Sequence, residues 1–421
     1  MAMKENLNVK VNSEIGELEG VIIHSMGSEV ENMTPENAER ALYSDILNLS
    51  VAQREYSQFH GVLQKITTTL EVKDLLSDIL KNEKVKTDLV KKVCVRCIDP
   101  FVVDYLHGLD NIELANQMIE GVILRKDSLA RFLSKQRFAV RPLHNFFFTR
   151  DSSISMYDKV LVGKMASKVR EREAQIMEAI FDYHPFFNTS TLNPRTEGPS
   201  CDKVSIEGGD VLIAREDILL IGIGARTTPE GVDVIIDKLK DREQVQHIIV
   251  QELPTDRESF IHLDMVFTFL NNNECMVYEP VIMQPNRYKT IHITIDNGNV
   301  KIKEEKNILE SLKELNMDLK PIFCGGTTDL WNQEREQWHS GANFFALAPE
   351  KIIGYERNSY TIEELSSNGY HVLPAMDVIN KKIDVKDYEK YVITIQGSEL
   401  SRGGGGARCM TMPVRRKDVS W

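Results

Sequence analysis

The stretch VLIAREDILLIGIGARTTPEGVDVIIDKL, residues 211–239, followed by HIIVQEL at 247–253, decides the fold. It reads as strand, tight turn, and a second strand ending near Gly222. Then come Arg226, a helix and a further strand. FFALAPEKIIGYERNSYTIEELSSNG at 344–369, followed by YHVLPAM at 370–376, repeats that order, with Gly354 and Arg357 at the matching places. A looser third copy is VLVGKMASKVREREAQIMEAIF at 160–181 with YHPFF at 183–187, and a fourth is DMVFTFLNNNECMVYEP at 264–280. Such self-similarity predicts α/β units stacked around a common centre, lined by strand ends and loops from several units. An ordinary α/β sheet, its repeats only as regular as any alternation, is the other reading.

Upstream the pattern changes. Glu19–His24 reads as a strand, but the chain from about Pro35 to Phe138 reads as helical. Val72, Leu75, Leu76, Ile79 and Leu80 mark one helix face. Further helical stretches run through Lys84–Val95, Pro100–Leu106, Ile112–Leu124 and Ser128–Lys135, with short polar breaks between them. That spacing predicts a small antiparallel bundle.

The bulk composition excludes several classes. The chain has 421 residues, 42% hydrophobic and 27% charged, as in a soluble globular protein. Its 51 basic and 63 acidic residues give a net charge of −12 with no basic stripe, which argues against nucleic acid as a partner. DILLIGIGA is among the longest apolar runs and is strand-sized, so no membrane span is expected. The first residues lack the apolar stretch of a signal peptide. Six scattered cysteines, Cys94, Cys97, Cys201, Cys275, Cys324 and Cys409, suit free thiols in a cytoplasmic protein.

Four short stretches carry chemistry: FFFTRD ending at Asp151, IEGGD with Glu207 and Asp210, IHLDMVF with His262 and Asp264, and SRGGGGARCMTMP with Cys409. Four successive glycines, Gly403 to Gly406, precede Cys409, and Arg408 adds positive charge. Glycines let backbone approach a ligand closely, though they also suit a loose tail. A lone cysteine is most often a small buried hydrophobe, but its neighbours here fit a nucleophile. His262 and Asp264, at i and i+2, would share one face of a strand. Taken alone, that pair reads equally as a core histidine bonded to its neighbour. Asp151, Glu207 and Asp264 exceed the single carboxylate that orients a protease histidine. They suit a planar guanidinium with its five donors. Arg170, Arg226 and Asn145 could hold an anionic end, or serve as surface ion pairs and a turn. Cys94-Val95-Arg96-Cys97 sits on a helix without a second cysteine pair, so a zinc site is not expected.

The set HNFFFTRD, SKVREREA, SIEGGD, IGARTT, IHLDMVFTF, REQWHSGANFFALAPE and GSELSRGGGGARCMTMP, in this order over nearly the whole chain, resembles the arginine deiminases among the guanidino-group-modifying enzymes. The resemblance implies a fivefold pseudo-symmetric α/β propeller as a single catalytic domain over 1–421, with a helical subdomain inserted at 65–138. It implies hydrolysis of L-arginine to citrulline and ammonia, with no cofactor and no metal. Cys409 would be the nucleophile and His262 the general acid and base. Asp151 and Asp264 would clamp the guanidinium, and Glu207 would lie beside it and the histidine. Asn145, Arg170 and Arg226 would bind the substrate carboxylate, and Phe148 would pack on its stem. Asp210 would support by hydrogen bonding, and the glycine loop from Gly403 would fold over the substrate. A homodimer or higher homo-oligomer is expected. One place departs from the family pattern: Gly404 stands where many members carry a second loop arginine, which bears on how the site closes. Rival readings are the same scaffold acting on another guanidino compound or in amidino transfer, a papain-like cysteine hydrolase, and a catalytically silent binding protein.

Overall fold

The computed structural model describes residues 7–34, 45–95, 99, 101–197 and 203–421. The opening stretch forms an antiparallel hairpin, Val211–Arg215 with Ile218–Ile223, then the helix Pro229–Leu239, then Gln246–Glu252, which pairs parallel to the second hairpin strand. Local chemistry explains the helix start. Thr228 caps it by accepting from the Gly231 N–H, and Pro229 occupies the first turn, where its missing N–H costs nothing.

The same hairpin-plus-parallel-strand pattern recurs in four other sheets. Ser153–Met156 and Lys159–Val162 pair with Thr191–Leu192, and Phe267–Phe269 and Glu274–Val277 pair with Lys320–Phe323. Phe345–Ala348 and Lys351–Tyr355 pair with Tyr391–Ile395. The fifth sheet joins the two ends of the chain: Met412–Arg416 lies antiparallel to Leu18–Ile23, which pairs parallel with Thr68–Glu71. A mixed α/β fold of repeated units is therefore present.

Three details differ from the sequence reading. In the unit at 344–376, His371–Pro374 takes the sheet edge, and the later strand Tyr391–Ile395 lies between it and Lys351–Tyr355. In the unit at 160–187, the hairpin begins earlier, at Ser153. Phe187–Asn188 leaves that sheet to pair with Leu7–Asn8. Thr68–Glu71, inside the stretch read as helical, is a strand; its alternation is too short to stand out between two helices.

Helices follow at Val72–Ile79, Glu83–Cys94, Val102–His107, Asn111–Glu120 and Leu129–Leu133. Val72, Leu75, Leu76 and Ile79 are buried, as their spacing requires. They share one apolar core with Ile22, Met412 and the helix Glu171–Tyr183. Burying each such side chain stabilises by roughly 1.5–3 kcal/mol. Cys97 and Cys201 lie outside the described residues; Cys275, Cys324 and Cys409 form no disulfide among the described residues. No helix among the described residues is long and apolar enough to cross a membrane.

Candidate active site

The four chemical stretches converge. Cys409 is 2% exposed, and its Sγ lies 3.6 Å from Asp264 Oδ2. Asn343 holds the thiol from the other side: its Nδ2 donates to Sγ at 3.2 Å and to the Asp264 carbonyl at 3.0 Å. Asn343 Oδ1 accepts the backbone N–H groups of Arg408 and Cys409. Burial pushes the thiol well above its usual range, and the carboxylates of Asp264 and Asp151 push it further.

His262 does not lie on a strand. Leu263–Met265 winds as a short 3-10 turn with His262 as its first flanking residue, so the i, i+2 argument does not apply. Both His262 and Asp264 are nevertheless buried. His262 Nε2 bonds Glu207 Oε2 at 3.0 Å, and Nδ1 lies 3.6 Å from Asp151 Oδ1; neither Nδ1 nor Oδ1 has a hydrogen-bond partner among the described residues. Glycine is required beside this ring, because a Cβ at Gly209 would stand 2.4 Å from Nδ1. Burial opposes charge on the imidazole. Asp151, the Glu207 bond and Asp210 outweigh it and lift His262 from 6.5 to about 9. Burial would raise Glu207, but the His262 bond and charge, with Arg226 and Arg170, hold it at about 2.

This pair sets a pH dependence of stability. The His262 share is full below pH 6.5 and is lost as pH rises through about 9. The Glu207 share is full above pH 4.5 and is lost as pH falls through about 2. Asp210 and Glu173, each raised to about 7 chiefly by burial, cost stability as pH climbs toward 7 and add no slope above it. His262→Gln should therefore flatten the decline of Tm between pH 7 and 9. An unchanged decline in that variant would show that the charge on His262 is not its source.

Arg170 is more committed than its sequence context suggested. It is buried, donating to Asp151 Oδ2 at 2.6 Å, to Glu173 Oε2 at 2.8 and 2.9 Å, and to the carbonyls of Asn145 and Phe148. Asp210 accepts the Leu263 N–H at 2.9 Å and stands behind the histidine. Asn145, Phe148, Asp151, Arg170, Arg226, Ile261, His262, Gly403, Gly404, Gly405 and Cys409 enclose a cavity of about 20 Å³, room for about one water. A second cavity of about 370 Å³ lies outside it and shares Arg226, Ile261, Gly403 and Gly404. The glycine loop is thus the wall between an outer vestibule and the thiol.

Gly404 turns that wall, with φ +82° and no atom of the described residues within 4 Å of where a Cβ would lie. Gly405 packs on Phe148, and a Cβ there would come within 2.5 Å of the ring. Gly405→Val should therefore cut kcat/KM by about tenfold or more through displaced Phe148 and Cys409. Steady-state rates beside melting curves check this. Normal kinetics would mean that the loop does not shape the site.

Asp151, Glu207 and His262 also bring ligand atoms within 4.8 Å of one another. Asp151 and Glu207 hold a proton on this ring to about pH 9, and a metal would have to displace it. The chemistry of the set favours an acid over a ligand. The sequence reading missed Asn343 and Glu173. Asn343 lay within a quoted motif, REQWHSGANFFALAPE, but nothing in its spacing pointed at a thiol.

A buried thiol, an imidazole and paired carboxylates meet on repeated α/β units whose fold is shared with several solved guanidino-modifying enzymes. Solved structures of similar fold include an amidinotransferase of saxitoxin biosynthesis, SxtG from Microseira wollei (TM-score 0.53, 13% identity, 98% of each chain). Another is the N-terminal domain of ArgZ, an arginine dihydrolase of the cyanobacterial ornithine-ammonia cycle, with product bound (TM-score 0.53, 14% identity, 95% of this chain and 98% of that one). Residues 39–416 match the arginine deiminase family model. An arginine deiminase of Bacillus thuringiensis subsp. konkukian is 31% identical over 98% of this chain and 99% of its own. The chain belongs to the arginine deiminase family.

Proposed function

We propose that the protein hydrolyses L-arginine to L-citrulline and ammonia through a covalent intermediate on Cys409. The observation that carries this is one small cavity lined by Cys409, His262 and Asp151, with Arg226 at its boundary with the vestibule. The cavity is too small for arginine, so the glycine wall moves on entry. Arg170, itself a guanidinium, now occupies Asp151. The substrate's guanidinium takes that place, between Asp151 and Asp264, and Arg170 turns with Arg226 and Asn145 to the substrate carboxylate. Phe148 lies along the stem.

The cationic substrate offsets Asp151 and Asp264 and so favours the Cys409 thiolate. The thiolate attacks the central guanidinium carbon. His262 Nδ1, the ring nitrogen left without a partner, gives its proton to the departing amino group, and ammonia leaves. An S-alkylthiouronium remains on Cys409. Water adds to its carbon, His262 takes one of its protons, and collapse releases citrulline while the other proton leaves with Cys409 as the thiol. Glu207 holds the imidazole through Nε2 throughout.

The five similar sheets support a fivefold ring around this cavity as the finer architecture. The helices from Val72 to Leu133 are read as an insertion into it, starting after the strand Thr68–Glu71 rather than at residue 65. A homo-oligomer acting in the cytoplasm completes the reading, and that setting fits the thiols of Cys275, Cys324 and Cys409, which form no disulfide among the described residues. The test is citrulline formation by purified protein from L-arginine, with agmatine in parallel. Turnover of arginine but not agmatine is expected, because Arg170 and Arg226 need a carboxylate. Turnover of agmatine alone would overturn the substrate.

A further inference from the structure

Glu14 and Arg408 lie 394 residues apart, yet they form a buried pair directly behind the thiol. Glu14 sits just before the strand Leu18–Ile23, and is fastened to the neighbouring hairpin. Its N–H donates to the Ile213 carbonyl at 2.8 Å, and its Oε1 accepts the Ile213 N–H at 3.3 Å. Arg408 is 1% exposed and places every donor of its fork. Nε and Nη2 reach Glu14 at 3.0 Å each. Nη2 also reaches the Val211 carbonyl at 2.8 Å. Nη1 reaches Asp264 Oδ2 at 2.8 Å and the Gly209 carbonyl at 3.5 Å. A planar guanidinium fixed at all its donors cannot turn, and so Asp264 cannot either.

We propose that Glu14 is a positioning residue for the reaction: by holding the Arg408 fork it sets the Asp264 carboxylate against Cys409 and the incoming guanidinium. The proposal rests on the reading of Asp264 as a guanidinium ligand. Without Glu14, the fork is free to take both Asp264 oxygens, drawing that carboxylate away from the cavity. The buried cluster also loses one negative charge. It already holds three arginines, Arg150, Arg408 and Arg416, against Glu14 and Asp264.

Glu14→Gln in the full chain separates this from a merely structural role. The KM for L-arginine should rise about tenfold, with kcat changed far less, because the ground-state clamp is what is lost. In the substrate-free protein, the pH at which iodoacetamide alkylates Cys409 half-maximally should fall by about one unit, since one buried negative charge is gone. The other charged or titratable groups around Cys409, namely Asp264, Asp151, His262, Arg170, Arg226, Arg408, Arg150 and Tyr355, keep their identity in this variant, and the displacement of Asp264 acts in the same direction as the lost charge. Glu14→Asp keeps the charge but shortens the reach. It should raise KM and leave the alkylation profile in place, and it carries the test if the glutamine variant does not fold.

A folded Glu14→Gln protein with wild-type KM and a wild-type alkylation profile would overturn the proposal, as would a wild-type KM in Glu14→Asp. Alkylation needs no substrate. A wild type that fails to turn over arginine therefore counts against the functional reading, and leaves this test standing.

Discussion

Replacing Cys409 by alanine is expected to lower citrulline formation by on the order of 10⁴-fold or more, because no other group can form the covalent bond. The remaining described thiols are poorly placed. Cys275 and Cys324 are buried in an apolar core, where burial raises them far above neutrality, and Cys94 lies on a helix of the 72–133 segment. The substitution should hardly disturb folding. Asn343 loses the sulfur as acceptor but keeps the Asp264 carbonyl and its two backbone donors. Alanine fills most of the buried site without a new polar atom. Rates measured beside a melting curve check both parts. A variant that is folded and retains even a tenth of wild-type turnover would remove Cys409 from the mechanism.

His262→Ala should cost about 10²–10⁴-fold in kcat, the usual worth of a positioned acid and base. Unlike the cysteine change, it should also destabilise. Glu207 is wholly buried and, among the described residues, would keep only the Ala166 N–H as a hydrogen-bond partner, with Arg226 and Arg170 acting on it through charge alone. Leaving such a charge unpaired typically costs about 3–5 kcal/mol. The double variant His262→Ala/Glu207→Gln should recover much of that stability and none of the turnover. Recovery of both would mean that the pair acts only as a structural prop. Recovery of neither would mean that the lost stability comes from the ring's packing.

Much of this was legible in the sequence, and the rest was hidden for definable reasons. The unit at 211–253 was readable because its hairpin strands are continuously apolar and its helix carries a Thr-Pro start. The strand Thr68–Glu71 was not, since four residues between two helices carry too little alternation to register. The sequence motifs named the groups around the thiol, including Asp151, Glu207, His262, Asp264 and Cys409. They could not say that Arg170 spends itself on Asp151 and Glu173, because the state of an ion pair is a matter of packing. Arg408 looked like a source of positive charge for the thiol, and its charge does act to lower Cys409. Its fork also faces Asp264 and Glu14, a partner that no local spacing could have revealed.

The central claim is that Cys409 bonds to the guanidinium carbon and that ammonia leaves before water adds. Mixing the protein with L-arginine, quenching in acid within the first turnovers and weighing the intact chain tests it most directly. The predicted result is a species heavier by arginine less ammonia, mapped by fragmentation to Cys409 and absent from Cys409→Ala. Steady citrulline production with no adduct at any quench time, in a protein whose Cys409→Ala variant still turns over, would contradict it.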